Sequence, residues 1–163
     1  HFHWFRVGDL RLHDNPALSR TVSASKKQAG SDGIVPVFCF DPRIFGDEAR
    51  SEFGSLKCGA RRAQFVIESV ADLRANLQER GSGLIVAHGK PEDVFQKLFN
   101  GMEETAPSEP NAILPNVFCQ DEVCSEEKLV EKCVRTVVKA HSQHGSLETV
   151  WGSTLYNIND LPF

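Results

Sequence analysis

Two short segments carry side chains whose types and spacing suit ligand chemistry. Asp121-Glu122-Val123-Cys124-Ser125-Glu126 offers carboxylates, a thiol and a hydroxyl in one run, and Asp41-Pro42-Arg43, followed by Phe45 and Gly46, offers opposite charges and one aromatic ring. A flat heterocycle bearing amino or protonated ring nitrogens needs a carboxylate to accept its hydrogen bonds and an apolar wall to lie against. Glu122 can meet the first need and Phe45 the second. A plainer reading stays open for the acidic run: Asp121, Ser125, Glu126 and Glu127 also make a helix start, a side-chain cap followed by acids that the helix dipole favours.

A third group sits near the beginning. Arg6, Asp9, Arg11 and Asp14 crowd one loop. They either bind a phosphate or line an exposed surface, or they pair among themselves and fix the loop and the helix that follows it. No catalytic constellation accompanies any of these groups. GxGxxG, GxxxxGK[ST] and GxSxG are absent, and the six histidines are scattered without metal-ligand spacing. The residues therefore assign no catalytic group and no metal.

The elements that must position these side chains can be read from periodicity. Residues 1–5 are aromatic without Gly or Pro and predict a buried strand, while Asp14-Asn15-Pro16 predicts a cap and a proline-led helix over 16–24. Residues 34–40 form a nearly continuous apolar run, as strands covered on both faces do. Residues 43–57 read as a long irregular connection. Over 59–80, Val66, Val70, Leu73 and Leu77 recur at helical spacing, with Ile67 and Ala63 widening the stripe and Gly81 as the stop. A strand over 84–87, a helix with a brief body over 94–99 opened by Pro91, and a polar connector over 101–115 follow. Then come a strand at 117–119, a helix over 126–140 with Val130, Cys133, Val134 and Val137 on its core face, and a last strand at 147–151. Alternation of strand and helix predicts an α/β fold with a parallel sheet and helices on both faces. Ligands gather at the carboxyl ends of such strands, where all three charged loops fall.

Bulk properties bound the reading. With 163 residues, 40% of them hydrophobic, the chain is one domain's worth, and its formal charge of −4 gives it no general basic footprint for nucleic acid. Five cysteines include no CxxC pair. Cys39 and Cys119 fall in predicted strands, so packing accounts for them better than disulfides or zinc, and a reducing compartment is expected. No apolar run reaches membrane-spanning length. Since the first residues are already strand, the start and the stop are expected to be cuts made by processing or by design.

Particular residues carry a family resemblance. Trp4-Phe5-Arg6 with Asp9-Leu10-Arg11-Leu12-His13-Asp14-Asn15-Pro16 resembles the signature that opens the cryptochrome/photolyase family. Phe40-Asp41-Pro42-Arg43, Trp151-Gly152-Ser153-Thr154-Leu155-Tyr156 and Asp160-Leu161-Pro162-Phe163 resemble its DASH branch. Val7-Gly8 departs from it, standing where the family usually has one residue.

The resemblance implies a Rossmann-like five-stranded parallel sheet in the order 3-2-1-4-5, spanning residues 1–163, with a linker to a helical FAD domain starting near 152. It implies an antenna chromophore, methenyltetrahydrofolate, held by Glu122, with Cys124, Ser125, Phe45 and Gly46 as further cofactor-binding residues. Flavin, electron transfer and most DNA contact would belong to the helical domain. The parent would be a blue-light flavoprotein, a DNA photolyase acting on pyrimidine dimers in single-stranded DNA or a photoreceptor, in the chloroplast, mitochondrion or nucleus. By itself this chain is expected to catalyse nothing and to bind its antenna weakly. Two rival classes stay open: a self-standing nucleotide- or folate-binding module, and a protein-interaction domain.

Overall fold

The computed structural model describes residues 1–27, 33–105, 115–154 and 160. Strands β1 (Phe2–Phe5), β2 (Val35–Phe40), β3 (Ile85–His88), β4 (Asn116–Gln120) and β5 (Ser146–Val150) form one sheet in the order β3-β2-β1-β4-β5. Every neighbouring pair is parallel, and Phe2 of the central strand is in register with Val35 on one side and Val117 on the other. The helices are α1 (Pro16–Lys27), the one-turn α2 (Pro42–Phe45), α3 (Ala60–Glu79), α4 (Pro91–Thr105) and α5 (Ser125–His141). The expected strand order is the observed one.

Successive strand residues point to opposite faces, which divides the core into two layers. Phe2, Trp4, Val37, Cys39, Val117 and Cys119 face α4 and α5, where Phe95, Phe99, Val134 and Val138 meet them. Phe5 and Phe38 face α3, packing on Val66, Val70, Leu73 and Leu77. Phe2 stands edge-on to Phe95 and Phe99, with ring centroids 5.9 and 5.4 Å apart. Each such ring contributes roughly 2 to 3 kcal/mol by leaving water. Gly81, with φ of +74°, takes the left-handed conformation that ends α3, and Ser82 then donates its N–H to the carbonyl of Leu77.

Several boundaries differ from the sequence reading. α1 runs three residues further than expected, to Lys27, and α4 continues to Thr105, because each carries polar helix formers beyond its last apolar anchor. The polar connector expected over 101–115 is therefore helical to 105, and most of the rest lies outside the described residues. The irregular stretch 43–57 holds α2 and an isolated antiparallel bridge between Arg50 and Leu56. Ile67, assigned above to the core stripe of α3, is 57% exposed, and only the narrower row of Val66, Val70, Leu73 and Leu77 is buried. Cys39 and Cys119 are buried as expected, whereas Cys133 is only partly so.

Candidate functional site

The opening loop is built around Asp9, which is fully buried. Its Oδ1 accepts the N–H of Arg6 at 2.6 Å, its Oδ2 accepts Nδ2 of Asn15 at 3.3 Å, and the Asp9 N–H closes the turn on the carbonyl of Arg6. Asn15, not Asp14, caps α1 through Oδ1 to the N–H of Leu18 at 2.9 Å. The four charged residues do fix the loop, but not by pairing side chain to side chain. Arg11 donates to the carbonyls of Gly8 and Asp14, and Arg6 reaches across to Glu131 of α5 at 3.3 Å while lying over the Trp4 ring. Every one of these contacts is internal to the fold, which supports the structural reading over a phosphate site.

Behind Asp9 lies a second buried group. His3 Nδ1 meets the Thr21 hydroxyl at 2.8 Å, and Nε2, with no hydrogen-bond partner, faces Asp9 Oδ2 at 3.9 Å. Burial pushes the His3 imidazole down to about 3 and the Asp9 carboxyl up to about 6.

The acidic run after β4 is arranged differently from a simple cap. Cys124 occupies the cap position of α5 without a side-chain capping bond to the backbone, and Asp121 turns away to pair with Lys128 while its N–H binds the carbonyl of Val150. Ser125 is the first helical residue and is exposed, and Glu126 binds Lys57 at 2.7 Å, tying the loop after α2 to α5. Glu127 keeps the Cys124 thiol above its ordinary range, which disfavours the thiolate.

Glu122 is half-buried against the opening loop: a Cβ on Gly8 would lie 3.5 Å from its Oε1 and 3.3 Å from Gln120 Nε2. Partial burial, with the like charge of Glu127 behind it, pushes the Glu122 carboxyl up to about 7. Among the described residues no hydrogen bond or ion pair engages it. Val7-Gly8, the departure from the family signature, thus forms the turn against which this carboxyl rests.

Asp41, Arg43, Phe45 and Gly46 lie after β2. Asp41 caps α2, and Arg43 bridges Asp41 at 2.7 Å and Glu92 at 2.8 Å, which locks α2 to the start of α4. Phe45 stands edge-on to Phe40, with centroids 5.3 Å apart, and lines a pocket of about 40 Å³ with Arg6, Ile44, Glu127 and Val130. That volume holds little more than one water molecule. Phe45 therefore shares its pocket with Glu127 and not with Glu122. Gly46 closes α2 on the carbonyl of Pro42, and a Cβ there would sit 2.4 Å from that oxygen. Replacing Gly46 by alanine should cost about 2 kcal/mol in urea unfolding, because α2 must open to make room; a loss below about 0.5 kcal/mol would mean that the turn shifts freely.

At the carboxyl ends of β1 and β4 the two loops pack together, with Gly8 against Gln120 and Glu122. Gln120 at the end of β4 donates Nε2 to the Ser153 hydroxyl at 3.2 Å, and Gly152 packs so closely that its Cβ would lie 3.2 Å from Pro16. Larger grooves of about 340 and 350 Å³ exist elsewhere, beside α3; Arg11 of the opening loop lines the first, and none of the predicted cofactor-binding residues lines either. Of the predicted site residues, Glu122, Cys124 and Ser125 form one open ledge, and Phe45 and Gly46 belong to the packed neighbourhood of α2. Among the described residues no His, Cys, Asp and Glu cluster could hold a metal, and no helix is long and apolar enough to cross a membrane.

Glu131 is the residue that the sequence reading missed. It is 4% exposed and accepts from both Arg6 and Lys128. A signal was present, since this acid stands three residues before Val134 and seven before Val138, at the helical spacing that faces the core.

Comparison with known proteins decides the family. The family model described as DNA photolyase matches residues 1–163. The chain belongs to the DNA photolyase family. It is 41% identical to cryptochrome DASH, chloroplastic/mitochondrial, of Solanum lycopersicum and 39% identical to cryptochrome DASH of Gloeobacter violaceus, over 98% of this chain in each case. It spans only 27% and 28% of those proteins, respectively. Among solved structures it matches the Synechocystis cryptochrome with a TM-score of 0.78 and 32% identity, over 99% of this chain and 29% of that one. A photolyase from Sulfolobus tokodaii, at 24% identity and a TM-score of 0.65 over 92% of this chain and 28% of that one, shares the fold. The likeness is thus to the N-terminal, photolyase-type α/β domain of DASH-type cryptochromes, with relatives about three to four times longer than this photolyase-family chain.

Proposed function

We propose that this photolyase-family domain binds a flat light-harvesting chromophore, methenyltetrahydrofolate, on the ledge of Glu122, Cys124 and Ser125. The observation that carries the reading is the Glu122 carboxyl, half-buried beside Gly8 and engaged by no other described side chain. A buried-edge carboxylate without a donor is an acceptor awaiting one, and a pterin presents an amino group and a ring N–H side by side. When bound, the chromophore would supply absorption of near-UV and blue light. This chain's residues would hold and orient it: Glu122 by accepting hydrogen bonds, Ser125 and Cys124 as neighbours on the open side.

The ledge has no opposite wall among the described residues, so binding by this domain alone should be weak. The other wall would come from a helical domain carrying FAD, joined by a linker that starts near residue 152. Exposed Val123 and Leu129, 71% and 59% accessible beside the ledge, fit cover by such a domain. In the intact protein, light absorbed here would serve repair of pyrimidine dimers in single-stranded DNA or photoreception. The plant relatives' names place those proteins in chloroplasts or mitochondria, and we assign this protein to one of those compartments.

Titration of the chain with methenyltetrahydrofolate, followed by absorption and fluorescence, tests the reading. Saturable binding is expected, and Glu122→Gln should weaken it 10- to 100-fold, the worth of hydrogen bonds to a charged group. Because the acceptor must be ionised and its carboxyl sits at about 7, affinity should fall as pH drops below about 7 and level off above about 8. A folded chain whose folate binding ignores both the substitution and pH would overturn the assignment, as would a tight stoichiometric flavin complex.

A further inference from the structure

We propose that Glu131 is a positioning residue for Glu122, binding the β1–α1 loop and the β4–α5 loop into one rigid support. The inference rests on the chromophore-site reading only for the identity of the ligand. Glu131 Oε1 accepts Arg6 Nη1 at 3.3 Å, and Arg6 begins the turn whose Gly8 backs the Glu122 carboxyl. Its Oε2 accepts Lys128 Nζ at 3.3 Å, and Lys128 also holds Asp121, the residue immediately before Glu122. Both sides of Glu122 are thus anchored to a single buried carboxylate.

Stability alone is a poor reason for an acid at this place. Glu131 lies beside the core valines of α5, and a buried ion pair generally contributes no more than well-packed apolar side chains of the same volume. What a leucine there would not supply is a fixed distance between the two loops. Glu131 also belongs to the field around Glu122, together with Glu127, Arg6 and Asp9, while Lys128 and Asp121 largely neutralise each other.

The experiment uses two variants of the chain. Glu131→Gln keeps the shape but removes the charge that holds Lys128; Arg6→Met with Glu131→Leu replaces the pair by apolar groups and keeps the domain folded. At about pH 8.5, where Glu122 is ionised, both should bind methenyltetrahydrofolate about tenfold more weakly than the parent. In the ligand-free Glu131→Gln chain, the Glu122 carboxyl followed by carbon NMR should titrate at lower pH, because a like charge is gone and Arg6 is left unneutralised. Amide exchange at 121–124 should quicken in both variants. An unchanged midpoint and unchanged exchange would overturn the proposal. Absence of folate binding by the parent would instead overturn the chromophore reading, and the midpoint and exchange data would still decide the role of Glu131.

Discussion

Replacing Arg6 by methionine should cost this domain about 3 kcal/mol of folding stability. Arg6 and Glu131 are 7% and 4% exposed, and removing one partner of a buried pair leaves the other charge unneutralised in a poor solvent. The guanidinium also lies 4.3 Å from the centre of the Trp4 ring, a contact that methionine would only partly replace. Lys128 remains beside Glu131, which places the cost at the low end of the usual range of about 3 to 5 kcal/mol. The double variant Arg6→Met with Glu131→Leu should recover most of the loss, since no charge is then stranded. Urea midpoints of the three chains check this. A single variant within about 1 kcal/mol of the parent would show that water reaches Glu131.

The second expectation concerns Asp9. Asp9→Ala removes the acceptor for the Arg6 N–H and for Asn15, and should cost about 3 kcal/mol near pH 7. Asp9→Asn should cost less than about 1 kcal/mol. The reason is the tautomer of His3. Thr21 donates its hydroxyl to the carbonyl of Ala17 at 2.8 Å, so it accepts from His3 Nδ1, which leaves Nε2 bare and facing position 9. An amide there removes the buried charge and offers Nε2 a donor, giving up only the long 3.3 Å bond that Oδ2 accepts from Asn15.

The pH profile separates the two side chains. Asp9 is raised to about 6, so by itself it adds stability as pH falls through that value; His3 is depressed to about 3, so by itself it loses stability as pH falls through the unfolded histidine's value of about 6.5. In the parent these contributions oppose each other between about pH 6 and 4. In Asp9→Asn only the histidine term survives, and stability should fall over that window. Identical profiles for parent and variant would refute the shared buried environment of His3 and Asp9.

Glu122 was legible because acids crowd the segment after an apolar strand, and a parallel sheet delivers that segment to the ligand-binding edge. Its distinction from its neighbours was not legible. Asp121, Ser125 and Glu126 suggested a cap, yet Asp121 is taken by Lys128, Glu126 by Lys57, and the cap position falls to Cys124. Phe45 suggested a wall facing Glu122, and its ring instead packs on Phe40 beside Glu127. The opening loop suggested Arg and Asp pairing among four residues close in sequence, whereas Arg6 chose an acid 125 residues away.

By itself the sequence determined the number and type of the main elements, the parallel arrangement of the strands and the two apolar faces that sandwich them. These follow from periodicity and from glycine and proline placement, which are local and repeat along the chain. Only the tertiary structure decided which carboxylates are neutralised and which one is left to meet a ligand. Charge pairing depends on distances between elements that the alternation of apolar residues does not encode, and a shift of a few ångströms exchanges a partner for water.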